Sequence, residues 1–397
     1  MDYSYSEFDG IGFQSPDDLY PPQQMIQFIL QYGQDGLEAL DEHEQQNIQD
    51  LIQQLIDEGY LERDSETGQL RITPQMVKGI EHRALLDIFE DIKQGGRDGH
   101  PTAIRGRSSE RDDGTHGYQF GDPISEIDLT ATMRNAMARQ IKHVDGDNIS
   151  VKLPLQINHN DFELHNTDSQ ADCATCILID MSGSMMRWGR FYQAKRVALG
   201  LQALVTQRFP LDTVDFVGFY SLAQPIAERD LPLVMPKPVS IRDHEVRLRM
   251  DLQQAIAEQD KIPLHFTNLH MGLRQARQIL ARRGAQNKQI FIITDGQPTA
   301  HIEPNPQTGG ESLYLLYPPS EQTSTITLTE ALRCRQAGIR IASFALIEDY
   351  WGMEWVGFIN QLTRLTRGIA YYCSSDDLSS TVVESFLSGR KKKSFIG

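Results

Sequence analysis

This sequence lacks most of the features that tie a chain to a membrane, a disulfide scaffold or a nucleotide. It contains no apolar run of roughly 18 residues, the length needed to span a bilayer as a helix, so no membrane span is expected. Four cysteines in 397 residues are too few for a disulfide framework. Cys173 and Cys176 form a lone C-x-x-C. Zinc wants four ligands, and residues three apart on a strand face opposite ways, so these thiols read as buried small side chains, as do Cys334 and Cys373. The stretch Met1 to Gly10 is acidic and carries no apolar segment of a secretory signal, which makes the cytoplasm the expected location. Gly-Lys never occurs, which removes the phosphate loop G-x-x-x-x-G-K-[ST]. No G-x-S-x-G elbow is present. His43-Glu44-Gln45-Gln46-Asn47 begins like H-E-x-x-H but has Asn for the second histidine. Basic residues are missing from residues 1–62, which hold 14 Asp and Glu, and the whole chain carries −16 with pI near 5.1. Affinity for nucleic acid rests on Lys and Arg neutralising phosphates, so that region is expected to repel DNA.

What the chain does have is an apolar strand that stops in a cluster of oxygen donors. The run Cys176-Ile177-Leu178-Ile179-Asp180-Met181-Ser182-Gly183-Ser184 ends in D-x-S-x-S. One carboxylate and two hydroxyls on a tight loop suit a small hard cation such as Mg²⁺. Two later segments repeat the theme. Phe266-Thr267-Asn268 precedes an amphipathic helix, and Ile290-Phe291-Ile292-Ile293-Thr294-Asp295-Gly296 is a second apolar strand ending in Asp. Asp180, Ser182, Ser184, Thr267 and Asp295 are therefore the candidate metal ligands. Two formal charges and three neutral hydroxyls balance a divalent cation and leave it able to accept one more anionic oxygen. Asp180 is expected on an exposed strand-end loop, where its loss removes no core contact. The competing reading makes Ser182 and Ser184 helix caps and the two aspartates strand-end turn residues.

These residues resemble the metal-ion-dependent adhesion site of the von Willebrand factor A domain. The D-x-S-x-S loop, the threonine of the second loop and the T-D-G aspartate are all matched, in order. The resemblance implies Mg²⁺ or Mn²⁺ as cofactor and an open coordination position for a partner's Asp or Glu carboxylate. It also implies a Rossmann-like α/β fold, a mostly parallel sheet with helices on both faces. The alternation of apolar strands and helices over 171–390 points the same way. The metal loops would sit at strand C-terminal ends.

Upstream, the pattern is different. A helix is expected from about Glu42 to Glu58, with Ile48, Leu51, Ile52, Leu55 and Ile56 at helical spacing. Two short strands flank the turn at Asp64 to Gly68. Thr73-Pro74 opens a further helix, with Thr73 as cap. Residues 1–92 are similar in topology to a winged helix and are expected to contact protein or serve a structural role. Residues 93–118 read as a flexible linker and 119–170 as a connecting segment. That segment carries a helix near Ile127 to Ala136 and an edge strand at Asp161 to His165. Residues 391–397 form a basic tail. The run Thr132-Met133-Arg134-Asn135-Ala136 resembles the stretch before the A domain in the D subunit of magnesium chelatase. That resemblance implies an AAA+ ATPase of the chelatase or MoxR kind as partner. Residues 235–265 read as a long insertion near the metal face.

A haloacid-dehalogenase-like phosphotransferase would also place Asp at a strand end, but its D-x-D acid is Ser182 here. The expected function is thus a metal-dependent protein-binding module, not an enzyme. The alternatives are a subunit of a metal-inserting chelatase and a nucleic-acid binder acting through the winged-helix-like region.

Overall fold

A computed structural model describes residues 21–42, 46–65, 67–95, 115–117, 127–143, 149–151, 156–165, 172–241, 243–307, 309–346, 353–374 and 377–390. Most of the expected linker, like the basic tail, lies outside these residues. The chain divides into two compact units, Met1–Gly99 with Asp172–Gly397, and His100–Ala171.

In the first unit, α1 (Gln23–Asp41) and α2 (Gln46–Asp57) precede a β-hairpin of β1 (Leu61–Arg63) and β2 (Leu70–Ile72), then α3 (Pro74–Gly95). α2 ends in a Schellman closure, with the N–H groups of Gly59 and Tyr60 bonding back to Ile56 and Leu55. The hairpin is antiparallel and pairs Leu61 with Ile72. Thr73 caps α3 as expected, its hydroxyl accepting from Met76 N at 3.2 Å and donating to Gly59 O at 2.6 Å. Met76, Ile80, Ala84 and Ile88 make a buried stripe four residues apart along α3. Each large apolar side chain so buried contributes about 1.5–3 kcal/mol.

That stripe packs on α5 (Arg190–Arg208), the helix following the first strand of the large sheet. α5 is buried continuously from Val197 to Val205 because α3 covers one side and the sheet the other. Gly200 lies where the helices meet. A Cβ there would overlap Ile88 Cδ1 and sit 3.3 Å from the Ala84 carbonyl.

One acid on this contact is costly. Glu81 on α3 is buried, and its neighbour Glu228 accepts a hydrogen bond from Gln202 at 2.7 Å. Burial, then the Glu228 carboxylate, push Glu81 up to about 8 from 4.5, with Lys78 opposing. The folded state therefore holds a proton that the unfolded chain releases first. Stability is lost as pH rises through this window. Glu81→Gln is expected to flatten the fall in melting temperature between roughly pH 5 and pH 8 and to stabilise the protein at the upper end. An unchanged pH profile in thermal melts would refute this.

The central sheet has six strands in the order β15-β14-β11-β7-β8-β9. They are β7 (Cys173–Asp180), β8 (Thr213–Phe219), β9 (Ala223–Ile226), β11 (Asn287–Thr294), β14 (Ile339–Leu346) and β15 (Ile369–Cys373). All pairings are parallel except β8 with β9. β7 is buried throughout. Ile177 and Ile179 join the core that includes α5 and α10 (Leu378–Arg390); Ala174, Cys176 and Leu178 join the core under α7 (Leu269–Ala281), α8 (Glu321–Gln336) and α9 (Met353–Thr366). The chain is thus a mixed α/β protein with helices on both faces of a mostly parallel sheet, behind a helical N-terminal region. The four cysteines are buried and free, and burial pushes the Cys176 thiol up.

The expected insertion is structured. β10 (Val246–Asp251) and α6 (Leu252–Ala257) lie within it. β10 pairs antiparallel with β13 (Glu311–Tyr317), which also pairs with β12 (Ala300–Pro304). The sequence reading assigns no strand to these segments, because β10 and β13 are far apart in the chain and show no periodicity strong enough to stand alone.

The second unit contains β3 (Thr115–Gly117), α4 (Leu129–Gln140), β4 (Ile141–His143), β5 (Ile149–Val151) and β6 (Glu163–His165). Asp128 caps α4 by accepting from the N–H groups of Thr130 and Ala131 at 2.9 and 3.1 Å. Arg139 clamps the buried Asp161 through two hydrogen bonds of 2.9 and 2.7 Å. The strand expected at Asp161 to His165 is shorter and pairs with β3. Among the described residues, no helix is long and apolar enough to cross a membrane.

Candidate metal centre

From β7 the chain crosses to β8 on one side, and from β11 to β14 on the other. Ligand sites of open α/β sheets form beyond the carboxyl ends of such a strand pair. The register aligns Ile179 with Ile293, which brings Asp180 beside Thr294 and Asp295 just past the strand end. Thr294 Oγ1 donates to Asp180 Oδ2, and Ser182 N donates to Asp180 Oδ1 at 2.8 Å.

Asp180 is fully buried, which corrects the exposed-loop expectation. The loop folds back under residues 237–265: Lys237 N donates to Met181 O at 2.8 Å and Gly183 N to His265 O at 3.1 Å. At Gly183 a Cβ would sit 3.2 Å from His265 Cβ and closer still to Val239, so this approach requires glycine. Ser182 occupies the N-cap position of the 3-10 turn Gly183–Gly189, but its side chain makes no capping bond. Instead its hydroxyl lies 3.0 Å from that of Ser184, which donates to Asp295 Oδ1 at 2.7 Å. The capping alternative therefore fails for Ser182.

Thr267 is held through both of its own backbone groups. Its N–H donates to Thr299 Oγ1 at 2.8 Å, and its carbonyl accepts from Thr299 and Ala300. Asn268 beside it caps α7, accepting from Met271 N at 3.0 Å. Thr267 lines the same cleft as Ser184 and Asp295, a depression of about 480 Å³ that Val239, His244 and His265 also border. Four of the five candidate ligands are thus joined by hydrogen bonds, and Thr267 shares the cleft with two of them, Ser184 and Asp295.

Sequence reasoning missed two residues. Thr294 holds the second oxygen of Asp180; its place in T-D-G was the available signal. Arg190 donates to Asp295 Oδ2 at 2.6 Å, and both side chains are almost wholly buried. Nothing marked this pair, since its members are 105 residues apart. The Arg190 guanidinium also lies 4.4 Å from the centroid of the Trp188 ring.

Two carboxylates buried this close repel one another. Loss of hydration, then the Asp295 charge, raise Asp180 well above the usual carboxylate range, while hydrogen bonds from Thr294 and Ser182 oppose the shift. A divalent cation would relieve that repulsion, and the surrounding donors are hard oxygens. The residues fit a small hard cation, with Arg190 already holding one oxygen of Asp295.

The family model for the vWA domain of the Rv0959-like protein matches residues 173–387. The model for the third domain of the same protein matches residues 110–167. Uncharacterized protein Rv0959 of Mycobacterium tuberculosis (strain ATCC 25618 / H37Rv) is 28% identical over 347 residues, covering 87% of this chain and 46% of the relative. Uncharacterized protein Mb0984 of Mycobacterium bovis matches with the same values. The chain thus spans about half the length of these curated relatives. Among solved structures, the SpRpn10 VWA domain aligns with 14% identity and TM-score 0.32, over 53% of this chain and 94% of that one. The vWF domain of the type V pili tip protein Mfa5 from Porphyromonas gingivalis aligns with 13% identity and TM-score 0.37, over 56% and 97%.

Proposed function

We propose, from the premise that this chain belongs to the Rv0959-like family of proteins with a vWA domain, that it is a divalent-ion-dependent protein-binding module and not an enzyme. One observation carries the reading. Asp180, Ser182, Ser184 and Asp295 are hydrogen-bonded into one cluster at the carboxyl ends of β7 and β11, with Thr267 on the same cleft. Mg²⁺ or Mn²⁺ would take oxygens from these five residues. Bound there, the ion supplies Lewis acidity toward one further carboxylate. That carboxylate comes from an Asp or Glu of a protein partner.

The resemblance of Thr132-Met133-Arg134-Asn135-Ala136 to the chelatase D subunit supports an AAA+ ATPase as the partner. Such a motor supplies the nucleotide hydrolysis for which this chain has no phosphate loop. The acidic N-terminal region serves protein contact rather than nucleic-acid binding, and the module works in the cytoplasm.

Calorimetry tests the ion. Mg²⁺ and Mn²⁺ are expected to bind with one site per chain, and Cys173→Ala is expected to bind them equally well. Strong preference for Zn²⁺ that disappears in Cys173→Ala would overturn the oxygen-only site. A pull-down with and without EDTA tests the bridge, with partner recovery expected only without the chelator.

A further inference from the structure

We propose that Arg190 is the resident cation of this centre and competes with the divalent ion for Asp295. The inference rests on the metal reading above and concerns how that site is regulated.

The geometry is specific. The 3-10 turn after the D-x-S-x-S loop ends in two residues with positive φ, Trp188 at 52° and Gly189 at 67°. A side chain other than glycine in that region is strained. The reversal starts α5 at Arg190 and turns its side chain back beneath the loop, leaving it 8% exposed. There it meets a carboxylate whose side chain is wholly buried. Trp188 covers the guanidinium at 4.4 Å while its own ring stays half exposed. Asp295 is thus occupied on both oxygens, by Ser184 on one and Arg190 on the other.

The charges give this arrangement a consequence. With both carboxylates ionised, Asp180 and Asp295 contribute −2 and Arg190 contributes +1, so the unloaded cluster then carries −1. A divalent ion brings it to +1 rather than to neutrality. Arg190 therefore weakens ion binding, because like charges repel across a short distance in a poorly hydrated site. The same charge makes the loaded site more attractive to an acidic partner. In the unloaded protein, Arg190 keeps Asp295 from being an unpaired buried charge, which would cost heavily. Asp295 would share its charge between an ion and Arg190, so the Arg190 contact would loosen on loading and the guanidinium would shift against the Trp188 ring.

Mn²⁺ titration of the full chain, read by calorimetry and tryptophan fluorescence, tests this. Arg190→Gln is expected to bind Mn²⁺ tighter by on the order of tenfold. Wild type is expected to change its emission on binding, and Trp188→Phe to lose that change while still binding. Arg190→Gln is also expected to melt lower than wild type without ion and to recover with Mn²⁺. Arg190→Lys, which keeps the charge, is expected to stay near the wild-type affinity. Equal or weaker binding by Arg190→Gln, with wild type binding normally, would overturn the competition and leave the metal site standing. If neither protein bound Mn²⁺, the metal reading itself would fall, and the competition with it.

Discussion

Asp180→Asn is expected to abolish divalent-ion binding and partner capture while leaving the protein folded. Asn keeps the shape of the side chain, can still accept from Ser182 N–H, and presents its amide to the Thr294 hydroxyl. It removes one of the two carboxylates that face the ion. Loss of outer-shell partners alone costs 10–100-fold in metal sites, so loss of a charged ligand should cost at least on the order of a hundredfold. The burial cost and the Asp295 repulsion that together raise Asp180 also disappear. The ion-free melting temperature of Asp180→Asn is therefore expected to exceed that of wild type by a few degrees, and Mg²⁺ should no longer raise it. Asp180→Ala is a poorer probe. It would leave the Thr294 hydroxyl and the Ser182 N–H without their buried acceptor, a penalty of about 1–3 kcal/mol each. Melting with and without Mg²⁺, together with co-purification of the nearest AAA+ ATPase, checks the expectation. Recovery of the partner at wild-type levels would mean that binding runs through another surface.

Gly200→Val is expected to destabilise the protein strongly, because Gly200 is buried where α3 crosses α5. The new side chain would drive into Ile88 and the Ala84 carbonyl at the crossing of α3 and α5. Overpacking of this kind costs about 1–3 kcal/mol when a core can adjust. Here one neighbour is backbone, so relief requires α3 to move as a body. The variant is expected to melt several degrees lower and to become sensitive to proteolysis near α3, while the ion site keeps its affinity. Gly200→Ala should show the same effects in smaller measure. Wild-type melting of Gly200→Val would show that the two helices do not meet as closely as described.

Most strand positions could be read from the chain because the central parallel strands, buried on both faces, are apolar over most of their length. β7, β8, β14 and β15 fall where alternation of apolar runs and helical patterns puts them. Apolar spacing starts this helix at Leu328, whereas α8 begins at Glu321, because Thr323 and Thr327 are buried although polar. Periodicity read on apolar residues alone skips such a turn. The D-x-S-x-S loop and its helix stood out because several donor types recur at short spacing.

What the sequence determined by itself was local: which segments are strands or helices, where the apolar strands stop, and which hard donors stand at those stops. The expectation of little nucleic-acid affinity was local too, being composition. The tertiary structure decided what depended on distant residues. Strand register set Thr294 against Asp180, and the reversal at Trp188 and Gly189 brought Arg190 under Asp295. Residues 237–265 closed over the D-x-S-x-S loop, and α3 was laid on α5 at Gly200. None of these leaves a periodic trace. Each is a contact between groups tens to more than a hundred residues apart, and burial, not spacing, decides whether two such charges meet.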